Sequence, residues 1–310
     1  MEYVPIRVST LRGDQKVSFD AYVKINEKFI LYIRRGDSFE GERLARLRAK
    51  KLKKMFILPA DETQYRGYLQ RNIEGAYDKN SGKTIQNRGE IIQGNQQTNA
   101  EEVFENPDNA EAYHAAKTDA GKFVNFLMSE DAALQSIMAI ENSDQNLGHH
   151  GVSVSTLAVG LAQKLGMMDP KQNQMLALGA LLHDFGHTLA DIDFTKPHKG
   201  MTPEEMKIYR THPTTGARAV QDKKHFDQQV LNCIMQHEEH INGSGFPQGL
   251  REKQTDPLAV IVSSCNAVDR LISFEKVAKK DAIRLLTIEK VGCHPLTHIQ
   301  HLNTILSTLK

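Results

Sequence analysis

Tryptophan is absent from this 310-residue chain, cysteine occurs three times, and no histidine appears before position 114. Each scarcity excludes something. Cys233, Cys265 and Cys293 are an odd number and lie in apolar segments, so reduced core thiols are expected and a disulfide framework is not. Lys plus Arg number 39 against 38 Asp plus Glu, so no broad field of one sign would gather a nucleic-acid polymer or an anionic membrane. No run approaches the ~20 apolar residues of a membrane span. MEYVPIRVST has neither the basic nor the apolar region of a secretory signal, so a cytoplasmic location is expected. What is present is a globular composition, 40% hydrophobic and 25% charged, long enough for two ordinary domains. Twelve of the thirteen histidines lie at or beyond position 149, so imidazole chemistry belongs to the second half.

The patterning predicts an α+β chain overall. Residues 1–75 read as a small α/β domain with a regulatory or partner-binding role. Val17–Ile25 and Phe29–Arg34 are β-rich and joined by Asn26-Glu27-Lys28, a hairpin. A basic helix over 39–54, a strand at Met55–Leu58 and a helix near Glu62–Ile73 follow. Residues 76–115 are polar and turn-rich and read as a linker or connector with one short helix. Residues 116–310 read as an all-helical bundle. Val154, Leu157, Leu161 and Leu165 share one stripe, as do Met175, Leu178 and Leu182, and then Val230, Ile234 and His237. Thr202-Pro203-Glu204-Glu205 combines a cap, an N1 proline and an N3 glutamate, marking a helix start.

Candidate chemistry lies in that bundle. His183 and Asp184 are adjacent at the end of an apolar helix, where side chains about 100° apart can still reach one point. A polar helix end would explain a lone His-Asp pair. Here His150 begins another helix, His212 follows the capped one, and His237 closes an apolar stripe. Several imidazoles converging with one carboxylate suit a borderline divalent transition metal, and the carboxylate can bridge two ions. Such ions, ~3.5–4 Å apart, clamp the attacking and leaving oxygens of a phosphoryl centre. His114, His225, His294, His298 and His301 read as surface or core residues.

The order His150, His183-Asp184, His212-Pro213-x-x-Gly216, then HEEHINGSGFP, resembles the HD-GYP subgroup of HD-domain metal-dependent phosphohydrolases over about residues 145–275. The text between supports it, with Lys196-Pro197 and Met201–Glu205 in the family's order. The resemblance implies a phosphodiesterase that opens cyclic di-GMP, or a related cyclic dinucleotide, to a linear dinucleotide through a metal-bridging hydroxide. It implies divalent transition metals, iron first and manganese second. It carries metal-ligand roles onto His150, His183, Asp184, His212 and His237, with Asp184 as the bridge. Gly243, Gly245, Phe246 and Pro247 match the GYP loop, phenylalanine standing for tyrosine, and that loop or the N-terminal domain would meet any protein partner.

The departures are as informative. Glu238 replaces a second family histidine and offers a carboxylate ligand. Asn266 stands where the family has a late metal-binding aspartate, three residues before Asp269. His187 replaces a lysine that assists the leaving oxygen, and an imidazole can still donate a proton. Asn146 replaces the glutamate that adds a third metal, which implies two ions. The arginine clamp is replaced by Glu275-Lys276-Val277-Ala278, leaving Lys276 and Lys279, with Lys280 nearby, to meet phosphate. Three readings follow: an active cyclic-dinucleotide phosphodiesterase, a weak or inactive sensing module that keeps the metal core, and a phosphohydrolase for another nucleotide.

Overall fold

The computed structural model describes every residue except Met1, Asp14, Gly41, Lys51, residues 141–145 and Lys310, and the side chain of Arg48 is likewise outside the description. The chain divides into two compact units, residues 1–98 and 99–310.

In the first unit, four strands form an antiparallel sheet in the order β1-β4-β2-β3, comprising β1 (Val4–Arg7), β2 (Ala21–Ile25), β3 (Lys28–Ile33) and β4 (Lys54–Ile57). The expected hairpin is present, and Asn26 and Glu27 both take positive φ, 46° and 64°, as a two-residue turn matched to strand twist requires. Strand β2 starts at Ala21 rather than Val17, because the chain bends at Ser18 and Phe19 and buries the Phe19 ring in the core with Leu11, Ile33, Met55 and Ile57. Helices α1 (Glu42–Ala49) and α2 (Glu62–Tyr77) complete this αβ arrangement.

Residues 76–115 depart from the linker expected of their composition. They hold a 21-residue helix, α3 (Ile85–Glu105), and the start of α4 (Ala110–Ser129), capped by the Asn109 side chain on the Glu111 and Ala112 amides. Part of the polar run that suggests a loop is interior. Gln93, Gln96, Gln97 and Asn99 are buried, with Gln93 Nε2 donating to Gln97 Oε1 at 3.2 Å and Asn99 Nδ2 to Asp119 Oδ2 at 3.1 Å. Satisfied amides can occupy a core, and composition cannot distinguish them from solvated ones.

The second unit is built on helices: α4, α5 (Ala133–Met138), α6 (Leu147–Lys164), α7 (Pro170–Leu182), α8 (Pro203–Tyr209), α9 (His212–Val220), α10 (Gln228–Gln236), α11 (Pro257–Ser273), α12 (Lys279–Glu289) and α13 (Leu296–Ser307). Helices α6 and α7 form its centre. They pack on each other, α7 also against α4 and α10, and α6 against α11 and α13. Every residue from Gly148 to Ala162 is buried, which requires helix neighbours on all sides. Sharp caps fix where the helices begin: Asp169 before Pro170, the Thr202–Glu205 capping box, and Asp256 before Pro257. Gly151 sets the distance between α6 and α7, since a Cβ there would lie 2.4 Å from the Leu181 carbonyl oxygen. That close approach draws His150 toward the end of α7. The three cysteines are buried and unpaired, as expected.

Candidate metal centre

Four helix ends meet where α6 begins, α7 stops, α9 begins and α10 stops. They deliver His150, His183, His212 and His237, all buried, around the buried carboxylate of Asp184. The Nε2 atoms of these rings lie 3.4, 3.5, 3.4 and 3.3 Å from Asp184 oxygens. In every ring the other nitrogen is engaged outward. Nδ1 of His183 donates to Ala180 O at 2.7 Å, that of His212 to Tyr209 O at 2.7 Å, and that of His237 to Ile234 O at 3.0 Å. Nδ1 of His150 donates to Asp269 Oδ2 at 2.6 Å. These bonds hold the proton on Nδ1 and point each Nε2 lone pair inward, the tautomer a metal ligand needs.

The interior is therefore a cluster of acceptors. His212 Nε2 and His237 Nε2 are 2.8 Å apart, and His150 Nε2 is 3.1 Å from Asn266 Oδ1, whose amide group turns its Nδ2 to Glu238. His183 Nε2 and both Asp184 oxygens have no hydrogen-bond partner. Burial holds His183 down at about 3, so it is neutral at physiological pH. Burial pushes Asp184 up, but His183, His187, His212 and His237 outweigh it and keep the carboxyl well below the usual range. Facing lone pairs around a carboxylate repel one another in a low-dielectric site unless a cation lies between them. The donors also form three overlapping groups of metal-binding geometry: His150–His183–Asp184, Asp184–His187–His212 and His212–His237–Glu238. Asp184 and His212 are each shared by two of these groups. This donor set fits divalent metal binding.

His187 stands within the cluster. Its ring is buried, both nitrogens lack partners, Nε2 is 3.7 Å from Asp184 Oδ1, and it stacks on His212 with centroids 3.9 Å apart. Burial first, and then the neighbouring His212, hold it well below the ordinary histidine value. A buried imidazole with both nitrogens free is also chemically suited to ligating, beside the proton-donor role expected from sequence. Glu238 accepts from the Tyr209 hydroxyl at 2.8 Å, and its burial is outweighed by His237 and His212, which keep it ionised. Glu239 acts elsewhere, accepting from the amides of Gln248 and Leu250 and so anchoring the 243–247 loop. In that loop Phe246 donates its amide to Glu238 O, sets its ring edge toward His212 at 6.2 Å, and carries Arg210 over one face at 5.1 Å. Gly243 takes φ of 83°, a Cβ on Gly245 would meet His240 N at 2.3 Å, and Pro247 follows a cis bond.

Lys276 and Lys279 are not gathered into the cluster. Lys276 Nζ donates to Ser273 O at 2.7 Å and Lys279 Nζ to Met138 O at 2.6 Å, so backbone carbonyls engage both ammonium groups. Asn146 caps α6, its side chain accepting from the His149 amide. Sequence reasoning gave no role to Asp269, Tyr209 or Arg270. The signal that could have found them was a polar series at 266, 269, 270 and 273 on the largely apolar α11, one face of a helix. Asp269 orients His150 while also accepting from Ser273 Oγ at 2.9 Å. Asp269→Asn is expected to lower metal affinity roughly 10–100-fold, measured by competition with a fluorescent chelator. Unchanged affinity would show that the Nδ1 bond does not govern the ligand.

The helical unit and its histidine–aspartate centre define a protein class, and direct comparison identifies it. The HD domain family matches residues 135–286. The chain is 62% identical to the solved structure of Bd1817, a HDG"Y"P protein from Bdellovibrio bacteriovorus, with a TM-score of 0.94 over 99% of this chain and 100% of that one. This chain belongs to the HD-domain family. The chain is also 34% identical over 142 residues to cyclic di-GMP phosphodiesterase PA4108 of Pseudomonas aeruginosa, and 29% over 138 residues to a cyclic di-GMP phosphodiesterase of Thermotoga maritima. These alignments cover 46% and 44% of this chain, and the chain spans about a third of the length of those curated relatives, 34% and 37%.

Proposed function

We propose that the chain is a metal-dependent phosphodiesterase that opens a cyclic dinucleotide, cyclic di-GMP first, to the linear form. The observation that carries this is the set of four Nε2 lone pairs turned onto one shared carboxylate, each fixed by an outward Nδ1 bond. The relatives named for cyclic di-GMP hydrolysis supply the substrate class. Asp184, shared between donor groups, favours two ions, held on one side by His150 and His183 and on the other by His212 and His237, with His187 and Glu238 in reach of the second. Iron or manganese suits these nitrogen and oxygen donors. When bound, such a pair activates water and neutralises charge developing on the phosphoryl oxygens. In the net reaction the water oxygen bonds to phosphorus, one P–O3′ bond breaks, and the 3′-oxygen takes a proton. The chain's own contribution is to hold every Nδ1 proton in place and exclude bulk water from the donors.

A second reading, a module that binds the dinucleotide without turning it over, is favoured by the engagement of Lys276 and Lys279 with carbonyl groups. The deciding experiment is incubation of the Fe(II)- or Mn(II)-loaded protein with cyclic di-GMP under reducing, anaerobic conditions, with products resolved by chromatography. Linear dinucleotide is the expected result. Stoichiometric binding with no product would establish the module instead.

A further inference from the structure

Helix α11 carries a cation that the metal chemistry does not use. Arg270 is 5% exposed, yet among the described residues no carboxylate lies within ion-pair distance of it. Its guanidinium has two long bonds, Nη1 and Nη2 to the single carbonyl of Phe194, both 3.4 Å, and its Nε has no partner. Two aromatic faces flank the charge, Tyr209 at 5.1 Å and Phe274 at 5.2 Å from Cζ. Burying an arginine without a carboxylate costs stability, and cation–π contacts offset only part of that. Such a residue is retained where an anion arrives from outside.

Its position indicates which anion. The three groups around the guanidinium each touch the metal donors. Phe194 stacks on His187 at 5.2 Å, Phe274 lies 5.0 Å from His150, and Tyr209 lies 4.9 Å from His212 while its hydroxyl bonds Glu238. The cation thus sits one side chain from both ends of the donor cluster. We propose that Arg270 is the anion-binding residue of this centre, its fork taking the non-bridging phosphate oxygens of the cyclic dinucleotide. This rests on the phosphodiesterase reading, and it moves the phosphate contact from Lys276 and Lys279 to α11. Bidentate capture would replace the weak hold on the Phe194 carbonyl with two charge-assisted bonds and give the idle Nε a partner.

The test compares wild type, Arg270→Met and Arg270→Lys in the metal-loaded full chain. Charge-assisted bonds of this kind correspond to about 10–100-fold in affinity. Arg270→Met should raise KM and the calorimetric Kd for cyclic di-GMP by that factor, with metal content unchanged. Its melting temperature without substrate should equal or exceed that of wild type, because an uncompensated buried charge has been removed. Arg270→Lys should recover part of the affinity. Inorganic phosphate, titrated into the same proteins, gives a separate arm. If wild type neither binds nor cleaves cyclic di-GMP, the phosphodiesterase reading fails. A ~10-fold loss of phosphate affinity in Arg270→Met would then still support the anion site. Equal phosphate affinity in wild type and Arg270→Met, or a lower melting temperature with unchanged KM, would overturn the assignment and make Arg270 a packing residue.

Discussion

Asp184→Asn is expected to reduce bound metal from about two ions per chain to fewer than one and to lower turnover by roughly 10³-fold or more, about 4 kcal/mol of transition-state stabilisation. Asparagine keeps the shape and one oxygen but removes the charge shared by the His150–His183 and His187–His212 donor groups. The substitution also separates function from folding. The buried Asp184 carboxyl is surrounded by imidazoles that hold it well below the usual range, so its charge also contributes to the fold. Stripped of metal by a chelator, Asp184→Asn should therefore melt no higher than wild type, since the stability that comes with the depressed carboxyl is lost. Wild type should gain stability on metal addition, as any ligand specific to the folded state provides, while the variant gains little. Metal analysis, turnover and paired melting curves give the three readouts. Retention of two ions with turnover inside tenfold of wild type would overturn the proposed bridging role of Asp184.

Gly186→Ala carries the second large effect, through packing alone. A Cβ at Gly186 would lie 1.9 Å from the His212 carbonyl oxygen, 2.7 Å from its carbon and 3.0 Å from the Gly216 amide nitrogen. All three are backbone atoms, so no side-chain rotation relieves the clash. The turn that follows Asp184 and the start of α9 must separate, at a cost of about 3 kcal/mol. His212 moves with α9, so metal affinity falls with stability. Denaturant midpoints measured beside Gly200→Ala make the comparison. A Cβ at Gly200 approaches only Lys196 Cε and Cγ, at 3.7 and 4.0 Å, and should change stability by less than ~0.5 kcal/mol. An unchanged midpoint for Gly186→Ala would mean that α9 is not held by this contact.

The sequence made the donor set legible because each donor stands at a helix boundary that sequence can mark. His212 follows the capped α8, His183 ends the Met175–Leu182 stripe, and His237 ends that of Val230 and Ile234. The hairpin turn and the Thr202 capping box were legible for the same local reason. Three features were not. Helix α3 was hidden because its buried amides resemble loop composition. The engagement of Lys276 and Lys279 depends on which carbonyls tertiary packing brings to them, Met138 O lying 141 positions away in sequence. The role of Arg270 depends on an absence, the missing counter-charge, and no local pattern encodes an absence.

The outward Nδ1 bonds have a further consequence. Three of the four imidazoles are tethered to carbonyls three residues back on their own turn of chain, at Ala180, Tyr209 and Ile234. Local chain geometry, rather than the ions, therefore keeps these donors in register. The rotational entropy of the rings is lost when the helices form, so little remains to be lost on loading. Ions bound there would then exchange while the chain stays folded, and affinity at this centre would measure the chemistry of donor and metal rather than the work of assembling a fold around them.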